Sequence, residues 1–108
     1  MSDSYLILTH KKGHFHTDIN INLVPVEQYD YLLFGIFRSR FVIVRLQQPQ
    51  RITLIEDTPP YCRNEVPSKF FPSFKTLEDA RQDLQQLIRF GSLDTELRQV
   101  PLTQAYPA

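Results

Sequence analysis

His10, His14 and His16 place all three imidazoles of the chain within seven positions, and Asp18 stands two residues further on. Imidazole and carboxylate are the donors a divalent transition ion takes. Zinc needs three or four such ligands, and three protein ligands plus a water would make the site catalytic. His14 and His16, two apart on a strand, share a face. If Lys11-Lys12-Gly13 is a three-residue hairpin loop, His10 stands across from His14 with Cβ atoms about 4.5–5.5 Å apart. Asp18 would then be a further ligand, or the acceptor that orients one ring. A solvated strand face explains the same spacing with fewer assumptions. The even positions from His14 to Asn22 read His, His, Asp, Asn, Asn, and His10 shares its own strand face with Leu6 and Leu8. The solvated face is the reading we adopt, with zinc or another divalent transition metal on His10, His14, His16 and Asp18 as the alternative. Three imidazoles this close also repel one another when charged.

The other candidate groups are a thiol and a run of arginines. Cys62 would be a nucleophile only with a neighbouring cation to lower its pKa, and although Arg63 is adjacent in sequence, nothing brings a histidine to it. With Gly13, Gly35 and Gly91 as the only glycines, a phosphate cradle is excluded, and no nucleophile elbow or dinucleotide fingerprint is present. Arg38 and Arg40 share a strand face if their segment is extended. Tyr29, Tyr31, Phe37 and Phe41 lie close in sequence, so a sheet surface pairing guanidinium groups with stacking platforms for nucleic acid is one expectation. Solvent-facing arginines that guard an edge strand are the simpler one.

Composition bounds these readings. A length of 108 residues holds one core and is short for two ordinary domains. Hydrophobic content of 42% with 22% charged residues suits a folded globule. Twelve basic residues balance twelve acidic ones, which removes the global attraction of a nucleic-acid or membrane binder, so either role would need a local patch. The charge is uneven: Arg38, Arg40, Arg45 and Arg51 lie between Ile36 and Leu54 without an acid, and from Ile55 onward eight acids face six bases. One cysteine suits a reducing compartment. Tyr5 to Leu8 is too short for a signal peptide, and no run reaches the length of a membrane span, so a cytoplasmic protein with no membrane partner is expected.

The elements that would position these groups are readable in outline. Ser4 to Thr9 is an apolar strand suited to cover on both faces, and the alternation from His14 to Leu23 is a half-buried strand that can break at Asp18. Gly13 supplies the positive φ of the loop between them. Val26 to Phe37 has apolar residues at helical spacing, but its Tyr, Phe and Ile content and Gly35 favour an extended segment. Arg40 to Leu46 and Arg51 to Ile55 form a pair across a turn at Pro49. Thr58 to Phe74, with prolines at 59, 60, 67 and 72, reads as a long irregular arm whose aromatics pack over the core. Thr76 to Phe90 reads as a helix: Thr76 caps it, Leu77, Ala80, Leu84, Leu87 and Ile88 form its stripe, and Gly91 stops it. A last strand is expected at Glu96 to Val100, before a frayed tail.

The expectation is therefore a single α+β domain over residues 1–101 with a tail at 102–108, built from a mostly antiparallel sheet of four to six strands and one C-terminal helix at 76–90. Its function is read as that of a small non-enzymatic binding or accessory protein without a cofactor, acting on another protein or on a second copy of itself. Aromatic and Arg residues dominate interface cores, which selects Arg38, Arg40, Tyr61, Arg63, Lys69, Phe70 and Phe71 as partner-binding residues.

Overall fold

The computed structural model describes residues 4–19, 22–89 and 94–104. In chain order the elements are β1 (Ser4–Lys11), β2 (Phe15–Asp18), β3 (Leu23–Leu33), β4 (Ile36–Leu46), β5 (Arg51–Glu56), β6 (Arg63–Pro67), a 3-10 turn (Ser68–Phe70), β7 (Ser73–Phe74), α1 (Leu77–Arg89) and β8 (Thr95–Val100). The strands form one antiparallel sheet in the order β6-β5-β2-β1-β4-β3-β8, with β7 added to the first half of β1. The α+β class holds. The strand number is a correction, eight where four to six were expected.

Two sequence features hid the extra strands. Val26 to Phe37 is extended, but it holds the end of one strand and the start of the next, joined by Phe34 and Gly35. The proline-rich stretch is not irregular throughout. Pro59 and Pro60 lie in the turn before β6, Pro67 is its last residue, and Pro72 precedes β7, so each proline avoids the interior of a paired strand. Pro25 lies within β3 beside a register shift, on the half of the strand that pairs with β4 alone.

Alternation along β1 and β4 divides the core in two, because successive side chains point to opposite faces. Leu6, Leu8, Val42, Val44 and Leu46 go to one face, where Leu23 and Ile52 of β5 join them and Ile19 and Phe71 pack at the margin. Tyr5, Ile7, Phe41 and Ile43 go to the other, against Ala80, Leu84 and Leu77 of α1, with Tyr29, Phe74 and Leu97. The central strands are thus covered on both sides, one by the β5 layer and one by the helix. The Thr76 hydroxyl accepts the Asp79 amide at 3.1 Å, the cap expected from the sequence. Arg81 ties the helix to β3 by donating to the Glu27 carboxylate. This holds the Glu27 carboxyl below its usual range. Burial, and then the hydrogen bond it donates to Glu27, push the Tyr29 phenol up to about 12. The expected helix end at Phe90 and Gly91, the inward placing of Leu87 and Ile88, and residues 105–108 of the tail lie outside the described residues.

Candidate functional site

β1 and β2 are paired at Lys11 and Phe15 and part beyond that point. β2 continues instead along β5, with His16 opposite Ile55 and Thr17 opposite Leu54. Side chains bridge the opening. The Thr17 hydroxyl donates to the Thr9 carbonyl at 2.8 Å, and the Thr17 amide donates to Nδ1 of His10 at 3.0 Å, so an imidazole occupies a place where a strand carbonyl would serve. The gap leads into a cleft of about 440 Å³ lined by His10, His16, Gln28, Arg40, Asp57 and Gln104.

Each lining residue has a structural reason for its position. Asp57 follows β5 directly, and its amide donates to the His14 carbonyl at 2.9 Å. Its carboxylate receives Nδ1 of His16 at 2.7 Å. Arg40 and Asp30 are register partners across β3 and β4. The guanidinium donates through Nε at 2.7 Å and Nη2 at 3.2 Å to the two oxygens of Asp30, and through Nη1 at 2.9 Å to the Gln104 carbonyl. Gln28 donates to the Pro101 carbonyl at 3.0 Å. The segment Pro101 to Gln104, itself closed by a turn bond of 2.9 Å, is thereby held over the floor.

The two cleft histidines differ in chemical state. His10 accepts at Nδ1, so its neutral form carries hydrogen on Nε2. Burial holds its pKa below the ordinary value, and His16 and Arg40 nearby add to the effect while Asp57 opposes it. His16, with its ring centroid 6.4 Å away, points Nδ1 at Asp57 and is the more open ring, its side chain 44% exposed. A carboxylate on one nitrogen fixes the tautomer that leaves Nε2 as the base.

The metal alternative fares differently at each residue. The turn runs through Lys12, Gly13 and His14, closed by the His14 amide on the Lys11 carbonyl at 2.9 Å. This is one residue later than the sequence suggests. The slip sets His16 rather than His14 beside His10. His14 faces a separate depression with Phe15, Glu56 and Asn64, and Asp18 is exposed at the end of β2. Among the described residues no three His, Cys, Asp or Glu side chains gather as a metal site would need. Neither nitrogen of neutral His10, one accepting the Thr17 amide and one carrying hydrogen, offers a metal a lone pair.

Comparison with protein-family models, curated proteins and solved structures finds no match. The site therefore has to be read from its own chemistry.

The expected partner-binding residues are dispersed. Arg38 is exposed on β4, whereas Arg40 is 2% exposed and committed to Asp30 and Gln104. Arg40 is thus a floor residue and not a contact surface. Tyr61, Arg63, Lys69 and Phe70 are exposed on β6 and on either side of it, with three strands between β6 and β4. The Lys69 ammonium lies 5.5 Å from the Phe70 ring centroid. Phe71 is half-buried against the β5-side core. The aromatic residues proposed to stack nucleic acid beside Arg38 and Arg40 are separated from them, because Tyr29 and Phe41 pack under the helix on the opposite face. Cys62 is exposed and outside the cleft lining. Sequence reasoning missed Asp57, Gln28 and Gln104. Polar Gln28 and Asp30 at alternate positions of an apolar strand were a legible sign of a polar face, but nothing in the sequence joins Asp57 to His16 across forty-one positions.

Proposed function

We propose that this chain is a small binding protein that recognises a protein partner by seating an acidic side chain or a chain-terminal carboxylate in the cleft at His16. The observation that carries this reading is the 2.7 Å contact between His16 and Asp57 at the mouth of a cleft floored by the buried Arg40–Asp30 pair. Asp57 holds one nitrogen, leaving Nε2 to face an arriving anion. As an imidazolium the ring would donate to two carboxylates, each accepting a charge-assisted hydrogen bond. The Arg40–Asp30 pair fixes the floor with little net charge, so the guest is recognised chiefly at His16. Support for binding over catalysis comes from the lining, in which, among the described residues, no hydroxyl, thiol or amine nucleophile accompanies the imidazole.

Short peptides ending in a free carboxylate, compared with their C-terminal amides, test this by amide chemical-shift perturbation on the full chain. Free-acid or acidic peptides are expected to shift His16, Asp57 and Gln28, and to bind more tightly than the matching amides. His16→Gln is expected to weaken binding roughly tenfold, about 1.4 kcal/mol. Shifts confined to other surfaces, or equal affinity for acids and amides, would remove the proposal.

A further inference from the structure

The β3–β4 hairpin turns through Phe34 and Gly35, with φ of 52° and 75° and Leu33 opposite Ile36. Two central residues at positive φ are the pattern of a type I′ connection, whose first position favours Asn, Asp or Gly because a larger side chain there meets its own backbone. Phe34 occupies that position without compensating burial. It is 59% exposed, and Ile36 beside it is 57% exposed. A strained backbone that presents an apolar ring to solvent directs attention to what the ring meets.

Basic groups stand behind the tip. Lys11 at the end of β1 pairs with Ser39, and the Lys12 amide donates to the Arg38 carbonyl at 3.2 Å. Lys11, Lys12 and Arg38 are all exposed. The acids of this end are largely engaged: Glu96 pairs with Arg98 at 2.7 Å, and Asp30 is turned inward onto Arg40. Asp94, whose carbonyl accepts the Phe34 amide at 2.8 Å, is an exposed counter-charge here, and exposed Glu56, opposite the Phe15 that pairs with Lys11, is another. The balanced composition of the whole chain thus conceals a local basic rim around an apolar point.

The combination of an apolar tip and basic groups behind it selects the partner. A lipid interface takes both at once: apolar side chains enter the boundary between headgroups and acyl chains while lysine and arginine lie against anionic headgroups. We propose that the Phe34–Ile36 tip, with Lys11, Lys12 and Arg38, docks this protein onto an anionic lipid surface. The role is independent of the cleft and of any protein partner seated there.

The full chain would be sedimented with vesicles of phosphatidylcholine alone and of phosphatidylcholine with phosphatidylserine. Association is expected with the anionic vesicles only, and should fall several-fold at about 1 M salt, where the screening length shortens to roughly 3 Å. The chain has no tryptophan, so Phe34→Trp supplies a single reporter whose emission should shift to the blue on the same vesicles. Phe34→Asn with Ile36→Thr should reduce association roughly tenfold or more. Phe34→Asn alone should raise Tm, which separates loss of docking from loss of fold. Equal binding to neutral vesicles, no binding, or an unshifted reporter would overturn the proposal. So would a concentration-dependent dimer abolished by the same double substitution, which would assign the tip to self-association.

Discussion

Arg38 and Arg40 stand two residues apart on β4, one in solvent and one with its side chain 3% exposed. That difference governs what each substitution does. Arg40→Met strands the Asp30 carboxylate and is expected to cost about 3–5 kcal/mol, whereas Arg40→Met combined with Asp30→Leu should recover most of it, because a buried pair is costly chiefly when broken. Denaturant midpoints of the two variants check this. His10 gives a second residue-scale expectation. Its folded pKa lies below 6.5, so between those values the unfolded chain binds the proton more readily. The stability due to neutral His10 is complete above pH 6.5 and declines as pH falls towards the folded value. His10→Asn keeps an acceptor for the Thr17 amide without the titration. Comparing midpoints at about pH 7.5 and about pH 5.5 should therefore show a smaller acid loss in the variant than in the native chain. The histidine spacing was legible in the sequence, but the register was not. A shift of one residue in the turn exchanged His14 for His16, and a two-residue side-chain period makes such a shift decisive.

Among the elements, α1 was readable because its apolar stripe, its acidic first turn and the Thr76 cap all agree. The proline-rich segment was misread because proline forbids strand interiors, and β6 and β7 fit between the prolines. The β3–β4 hairpin escaped for a related reason. Its turn lacks the Asn-Gly or Asp-Gly signal that positive φ at both positions requires, so a Phe-Gly pair read as the inside of one extended segment. The same mismatch gives the magnitude behind the Tm rise expected for Phe34→Asn. Relief of a left-handed backbone at a bulky residue is worth on the order of 1 kcal/mol, offset little by the loss of a ring that is mostly in solvent.

At the scale of the molecule, the β5 layer and the central sheet share the Lys11–Phe15 pair and a buried apolar contact at Ile52. Ile52 is fully buried in the cluster that holds Leu6, Leu8 and Val44. Ile52→Ala is expected to cost about 2–5 kcal/mol. It should also speed hydrogen exchange in β5 and β6 more than in β1 and β4, because the helix still covers the other face of the central strands. Uniform acceleration across the sheet would argue against two separately covered faces. The overall balance of charge, by contrast, said little about either surface discussed above. The buried Arg40–Asp30 pair cancels within itself, and the exposed Lys11, Lys12 and Arg38 are offset in the total by acids elsewhere in the chain. The central place of β1 also bears on how the chain is made. In the chain it precedes its ladder partners Ser39–Leu46 and Ser73–Phe74, and the side chains that roof it include Ile52, Ala80 and Leu84. During translation Tyr5-Leu6-Ile7-Leu8 emerges as an apolar, strand-prone stretch that must wait for Val42 to Arg45 of β4 as its ladder partner, and for Ala80 and Leu84 of α1 to cover its second face. Cover of the helix-side face is thereby deferred until α1 has been made, which leaves the nascent segment a natural client for a chaperone that binds short extended apolar sequence.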